Sequence, residues 1–378
     1  MSKEENGFKV TPFEVEGKVE YEKLIEKFGT ERIDEELLKR IKNNTGNLHK
    51  FLRREYFYSH RDMDKVLDDH ESGKGFFLYT GMGPSSQMHI GHLPALMFTR
   101  WLQDNFNVNL YIQVTDDEKF LFKDKEYQEV QEYADENIKD IAALGFDEDK
   151  TFIFKNTEYS GHLYEKAVKI ADRLTYSQVR STFGLDNSSN IGSLFYPAIQ
   201  MVPTLFEDKR CLIPSAIEQD PYWRLQRDVA PKLGYKKTAA IHSKLLPGLK
   251  GPEGKMSSSQ PSTTVFLDED IDKIPEKIKK YAYSGGKPSL EEHREKGGNP
   301  EVDTCFQWLY ILLEDDDGEI ERIRKEYSSG EMLTGEIKQI TIEKLQNFLK
   351  NFQDKREKAE DKVDQYKYKG ELARKMWE

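Results

Sequence analysis

Between Gly75 and about Phe266, short apolar runs alternate with stretches whose apolar residues recur at helical spacing. The runs are Phe76-Phe77-Leu78-Tyr79, Leu110-Tyr111-Ile112-Gln113-Val114, Thr151-Phe152-Ile153-Phe154, Cys211-Leu212-Ile213 and Ala239-Ala240-Ile241-His242. Strands alternating with helices predict an α/β fold with a doubly wound parallel sheet. Beyond Pro275 the pattern turns helical, with segments from Cys305 to Leu313, Ile320 to Tyr327 and Thr334 to Phe352, which predicts a second, all-α domain. Residues 1–70 are mixed and highly charged. There Val10-Thr11-Pro12-Phe13-Glu14-Val15 reads as a short edge strand and Glu35 to Lys42 as an amphipathic helix, so the segment looks appended. The expected organisation is therefore 1–70, 71–268 and 269–378. In the charged tail from Asp354, Tyr366, Tyr368, Leu372, Met376 and Trp377 predict a docked helix, with the 71–268 domain as its possible dock. Glu314-Asp315-Asp316-Asp317-Gly318 lacks Ca²⁺-loop spacing and reads as a solvated helix end and turn. No internal repeat is evident.

Composition narrows the picture. A chain of 378 residues can hold two or three domains, and its 21 Phe and 19 Tyr argue against disorder. No apolar run reaches the roughly 18 residues needed to span a bilayer, and Met1 to Gly7 lacks a secretory h-region, so a cytoplasmic protein without a membrane partner is expected. Cys211 and Cys305 are the only cysteines, too few for a disulfide framework or a Cys-rich zinc module. The net charge of −11 speaks against general nucleic-acid affinity, DNA included. Any nucleic acid must meet a local basic surface.

Candidate chemistry lies in two runs. The first strand leads into Tyr79-Thr80-Gly81-Met82-Gly83-Pro84-Ser85-Ser86, whose glycines let backbone N–H groups approach an anion. The run fits neither the dinucleotide fingerprint nor a Walker loop, since the required third glycine and the Gly-Lys-Ser/Thr are missing. His89-Ile90-Gly91-His92 follows, with imidazoles at i, i+3 that can donate to phosphate and a glycine that leaves room for a flat base or ribose. A His-capped helix entrance or a zinc pair would use the same residues, but no third ligand cluster is apparent and no protein metal site is expected. Far along the chain, Gly254-Lys255-Met256-Ser257-Ser258-Ser259 supplies a cation and three hydroxyls. Alone it reads as a Ser-rich surface loop, but paired with the His run it describes a nucleotide site in two halves.

With both runs in this order, the chain resembles the class I aminoacyl-tRNA synthetases. The resemblance runs from about Val10 to the end and is closest to the archaeal and eukaryotic branch of the tryptophanyl-tRNA synthetases. It is carried also by Gln113-Val114-Thr115-Asp116-Asp117-Glu118-Lys119, Pro197-Ala198-Ile199-Gln200, Ile217-Glu218-Gln219-Asp220-Pro221-Tyr222 and Tyr283-Ser284-Gly285-Gly286. It implies a Rossmann-like catalytic domain and an all-α anticodon-binding domain. The implied reaction joins L-tryptophan to ATP with Mg²⁺, releases pyrophosphate, and passes the aminoacyl group to tRNA(Trp), in a homodimer.

An unmatched buried indole N–H costs about 1–3 kcal/mol, and the resemblance assigns Tyr79 and Gln113 to accept it. Glu118 and Gln200 match positions that hold the α-amino group. Lys119 and Gln219 match positions reaching the substrate carboxylate and the ATP α-phosphate. The ATP site would be Gly81, Gly83, Pro84, Ser85, His89, Gly91, His92, Gln219 and Lys255 with Met256, Ser257, Ser258 and Ser259, and the catalytic groups His89, His92, Lys119 and Lys255. Gly81, Pro203, Ile213 and Trp223 would line the tryptophan pocket, although simple core packing suits them equally.

For tRNA, the region from about Asp270 to Gln353 is implied as anticodon reader. Lys279, Lys280 and Lys287 around Tyr281 and Tyr283 combine charge with stacking, and Lys287 is the named contact. Val10 to Val15 resembles the family's lid hairpin. Met82 stands where the family pattern has Arg, and Ser258 where it often has Lys or Ala. The branch often carries a further N-terminal domain, for which the start at Met1 is expected to leave no room. A tyrosyl-tRNA synthetase, or a catalytically idle synthetase-like protein that binds RNA or a signalling partner, would share the two runs. Leu96, Met97 and Trp101 form an apolar helix face suited to core or to interface.

Overall fold

The computed structural model describes residues 9–10, 15–16, 20–123 and 125–378, with 9–10, 15–16 and 253–255 described by backbone alone. In chain order the strands are β1 (Lys9–Val10), β2 (Val15–Glu16), β3 (Glu31–Arg32), β4 (Phe57–Arg61), β5 (Phe76–Met82), β6 (Leu110–Val114), β7 (Thr151–Lys155), β8 (Arg210–Ala216), β9 (Ala239–Ser243), β10 (Pro247–Gly248) and β11 (Gly251–Lys255). Seven of them form one sheet in the order β3-β4-β9-β8-β5-β6-β7. The strands β5 to β9, which the apolar runs predict, pair in parallel.

Both faces of the parallel strands are covered, which is why their sequences are continuously apolar. One face, with Leu78, Ile112, Ile153, Leu212 and Ile241, packs under the helix Leu93–Phe106 and joins the core of the C-terminal helices. The other, with Phe77, Tyr111, Phe154, Cys211 and Ile213, packs under the helices Ser160–Ala171, Ile191–Met201 and Asp220–Val229. The Leu96 face belongs to the first core: Leu96 is buried, Met97 and Trp101 pack partly buried against it, and Trp101 stacks on Phe98 at 5.5 Å.

The N-terminal segment is more than an appendage. Within it β4 pairs antiparallel with β9, and β3 with β4, extending the sheet by two strands. Phe57-Tyr58-Ser59-His60-Arg61 gives a weak strand signal because three of its five residues are polar. Tertiary contacts account for them. Arg61 holds both oxygens of the buried Asp220 carboxylate, at 2.6 and 2.8 Å, while His242 Nε2 lies 3.5 Å from it and Ser59 Oγ lies 3.2 Å from His242 Nδ1. Val10 and Val15 do not share one strand, as their pattern suggests, but face each other across the antiparallel pair β1 and β2, in keeping with the hairpin that the resemblance implies; 11–14 lie outside the described residues.

The C-terminal helices comprise Thr304–Trp308, which continues into a π-helical turn at Leu309–Leu313, then Asp317–Ser329 and Thr334–Ala359. The acidic run 314–317 is not simply solvated. Lys50 donates to Leu312 O at 2.7 Å and Asp315 at 2.6 Å, Arg53 to Asp317 at 2.8 Å, and Arg54 to Glu314 O at 2.7 Å. These cations satisfy carbonyls left open at a helix end. The tail helix Glu371–Trp377 lies against β7, with Leu372 and Ala373 buried in the second core and Tyr366 donating to Phe146 O at 2.8 Å. No helix among the described residues is long and apolar enough to cross a membrane.

Burial raises the Asp220 carboxyl, but Arg61 and His242 outweigh it and bring it down to about 2. Such a group stabilises the fold above its unfolded pKa of about 4, and the contribution disappears as pH falls through about 2. Urea unfolding of Asp220→Asn should show a deficit of about 2–3 kcal/mol at pH 7 that shrinks to roughly half near pH 3.

Candidate active site

The chain adds β6 and β7 on one side of β5 and then returns to place β8 and β9 on the other. A cleft of about 820 Å³ opens at the carboxyl ends of β5 and β8, where such a switch in direction leaves a crevice. Its walls include Gly81 and Met82 from β5, Ile213 to Ala216 from β8, and His89, Gly91 and His92 from the turn that opens the next helix.

The two imidazoles stack at 3.8 Å. His89 Nδ1 accepts from the Gly91 N–H at 3.2 Å and His92 Nδ1 from the His89 N–H at 3.1 Å. With Nδ1 accepting, each neutral ring carries its proton on Nε2, the form suited to donating toward an anion. A Cβ on Gly91 would stand 3.0 Å from the His89 ring and 3.5 Å from Met256 Cβ, so the glycine lets the two halves of the site meet. The distal loop is tied to the same turn. Ile90 N–H donates to Val265 O at 3.1 Å, Leu267 N–H to Met88 O at 3.0 Å, and Thr264 Oγ1 to Ser257 O at 2.6 Å. Lys255 ends β11 opposite Pro247, and its side chain lies outside the described residues.

Beneath the cleft runs a buried polar network. Tyr79 donates to Gln113 Oε1 at 2.5 Å, Gln200 Nε2 to the Tyr79 hydroxyl at 3.0 Å, and Tyr196 to Gln200 Oε1. On the far side Gln113 Nε2 donates to Asn156 Oδ1 at 2.7 Å, and Asn156 Nδ2 to Asp117 Oδ1 at 2.8 Å. Burial pushes the Asp117 carboxyl up to about 7, against the hydrogen bonds it accepts from Asn156 and the Glu118 N–H. Beside it, Glu118 pairs with Lys119 at 2.9 Å and accepts from Thr115 at 3.0 Å.

This arrangement brings two stacked imidazoles, the Lys119 ammonium and a buried polar floor to one crevice. A family model described as tRNA synthetases class I (W and Y) matches residues 71–350. The tryptophan–tRNA ligase of Saccharolobus solfataricus is 59% identical over 373 residues, 98% of this chain and 98% of its own. That of Thermococcus kodakarensis is 55% identical over 373 residues, 98% of this chain and 97% of its own. The tryptophanyl-tRNA synthetase structure from Giardia lamblia matches with a TM-score of 0.87 at 39% identity, over 93% of this chain and 96% of that one. A tryptophanyl-tRNA synthetase from Encephalitozoon cuniculi solved with tryptophan bound matches at 0.84 and 39%, over 92% and 97%.

The chain belongs to the tryptophanyl-tRNA synthetases of class I. Its fold is the mostly parallel sheet of that family with a helical C-terminal region, and its relatives make it an aminoacyl-tRNA ligase.

Of the residues that the sequence nominates, Gly81, Gly83, Ser85, His89, Gly91, His92, Glu118, Lys119, Gln200, Gln219, Met256, Ser257, Ser258 and Ser259 line the cleft, as do Ile213 and Trp223. Tyr79 and Gln113 are fully buried beneath it. Pro84 and Pro203 are buried away from its walls. Met82 is itself buried and joins the core. Lys279, Lys280 and Lys287 are exposed. Tyr281 is partly drawn into the core, and Tyr283 leans on Gly251, its N–H donating to Leu249 O at 2.7 Å, so both rings already have packing roles. Lys123, Lys125, Tyr133 and Lys244 also line the cleft and were not nominated. Asn156 was not nominated, and Asp117 stood only within the Gln113 to Lys119 run, with no role of its own. The sequence signal for Asn156 is position, since it follows the carboxyl end of a predicted strand.

A Cβ on Gly83 would lie 2.1 Å from Lys119 Cε. The flexible lysine, not the backbone, would give way. Gly83→Ala should therefore unfold within about 1 kcal/mol of wild type while pyrophosphate exchange falls about tenfold or more, because Lys119 is displaced.

Proposed function

We propose that the chain activates L-tryptophan with ATP in this cleft and transfers it to tRNA(Trp) in the cytoplasm. The observation that carries the proposal is the convergence of the His pair, the 256–259 loop and the Tyr79–Gln113–Gln200 floor on one switch-point crevice. In the first step the tryptophan carboxylate attacks the ATP α-phosphorus and pyrophosphate leaves. In the second a ribose hydroxyl at the tRNA 3′ end attacks the activated carbonyl and AMP leaves. No protein nucleophile takes part.

The roles are those that the resemblance to the family assigns. Tyr79 and Gln113 keep acceptor lone pairs for the indole N–H, and Glu118 and Gln200 lie where an ammonium can be held. Gln219 and Lys119 serve the carboxylate and α-phosphate, while Gly81, Gly83, Ser85 and Gly91 let the nucleotide approach the backbone. His89 and His92 donate from Nε2 to the phosphates, and Lys255 with Met256 to Ser259 closes on them. Alignment and charge stabilisation supply the rate. Mg²⁺ takes oxygen ligands, which the phosphates of ATP itself provide, and when bound it would neutralise part of their charge. Lys287, exposed on the turn after Gly286, is assigned to tRNA.

Exchange of labelled pyrophosphate into ATP across tryptophan and tyrosine tests the assignment: tryptophan alone should drive it, and exchange with tyrosine would overturn it. Lys255→Ala should lower the adenylation rate by about 10²-fold or more with little change in tryptophan affinity, by loss of a charge acting on the leaving phosphates. Equal losses in both would remove that role.

We further propose a homodimer. Ile191 (84% exposed), Tyr164 (65%), Tyr176 (52%) and Val168 (43%) stand out on three adjoining helices, Ser160–Ala171, Tyr176–Phe183 and Ile191–Met201, where large apolar side chains face outward. Ile191→Asp should shift sedimentation from dimer to monomer.

A further inference from the structure

An amide has two nearly equal ends, one that accepts and one that donates, and only the first can receive an indole N–H. Gln113 is fully buried, and either orientation of its side-chain amide would fill the same space. Something must decide between them. The Tyr79 hydroxyl cannot do so alone, because a hydroxyl can accept as well as donate.

We propose that Asn156, held in turn by Asp117, is the positioning residue that turns the Gln113 carbonyl toward the tryptophan seat. The proposal rests on the assignment of Gln113 as an indole acceptor. Two chains of hydrogen bonds converge on this amide from opposite sides. From one side, Asp117 Oδ1 accepts from Asn156 Nδ2 at 2.8 Å, which points the Asn156 carbonyl at Gln113, where it accepts from Nε2 at 2.7 Å. Asp117 itself is oriented by the Glu118 N–H, which donates to the same Oδ1 at 2.9 Å. From the other side, Tyr196 donates to Gln200 Oε1, so Gln200 presents Nε2 to the Tyr79 oxygen at 3.0 Å, and the Tyr79 proton goes to Gln113 Oε1 at 2.5 Å. The remaining acceptor near Gln113 Nε2, Ile199 O, is 3.5 Å away and at the edge of hydrogen-bond length.

A reversed Gln113 amide would set its oxygen against the Asn156 carbonyl, acceptor against acceptor, and would face the indole N–H with a second donor. Asn156 (2% exposed) and Gln113 (0%) leave no water to repair such a mismatch. Asn156 is thus placed to favour an N–H-bearing ring through Gln113 without touching the substrate.

The test compares L-tryptophan with 3-benzothienylalanine, whose ring has sulfur in place of N–H, in pyrophosphate exchange. Asn156→Ala should lower the preference for tryptophan over the sulfur analogue at least about tenfold, mainly through KM for tryptophan, while KM for ATP stays within about twofold. Asp117→Ala should do the same more weakly, and Asp117→Asn, which keeps a carbonyl acceptor for Asn156, should restore the preference. An unchanged preference in Asn156→Ala, or equal falls in kcat for both substrates, would overturn the positioning role. If Asn156→Ala does not fold, the two Asp117 variants decide: equal preference in both overturns it. Gln113→Ala separates the underlying assignment, which fails if that variant keeps the wild-type preference.

Discussion

At the switch point between β5 and β8 the sheet cannot close over its own carboxyl edge, because the crossover helices on its two faces diverge there. The cleft is a consequence of strand order, before any side chain is considered. Strand β5 supplies Gly81 and Met82 at its lip and β8 supplies Ile213 to Ala216, while the helix opening after β5 brings the His89 and His92 turn. The distal loop reaches the same place because residues 265–267 run beside Met88 to Ile90. His92 and Met256, 164 positions apart, are thereby brought to one crevice.

The floor of that crevice obeys a second constraint, that buried polar groups must be paired. Tyr79, Gln113, Gln200 and Asn156 are all within or next to apolar elements, and each is satisfied by another. The same rule shapes the edge of the sheet. Ser59, His60 and Arg61 make a poor strand by pattern, yet the ion pair with Asp220 brings β4 onto β9 and anchors the first turn of the helix that carries Trp223. A buried pair of this kind is held by geometry, with both carboxylate oxygens engaged by one guanidinium.

The helical region is bound to the β10–β11 hairpin as well as to the sheet. Trp308 Nε1 donates to Pro247 O at 2.8 Å, and Tyr283 N–H to Leu249 O at 2.7 Å, so β10 and β11, which lead into the Met256 to Ser259 loop, rest directly on it. Helix Thr334–Ala359 in turn meets the helix Tyr127–Ala142 through Arg356 and Asp140 at 2.6 Å.

By itself, the sequence determined the periodic parts. Short apolar runs that alternate with stretches of helical period read as strands buried on both faces, so β5 to β9, their parallel pairing and the all-α end were legible, as were the His89 to His92 and Lys255 to Ser259 runs, because their chemistry is compact in sequence. Tertiary structure alone decided the rest. The polar residues of β4, the acidic run at 314–317 and Asn156 look like surface in the sequence, since a polar side chain carries no sign of its partner until the chain brings that partner within about 3 Å. Arg61 waits for Asp220, Lys50 for Asp315, and Gln113 for Asn156. Hydrophobic burial is written locally as a pattern, whereas hydrogen-bond satisfaction is a property of pairs far apart in the chain.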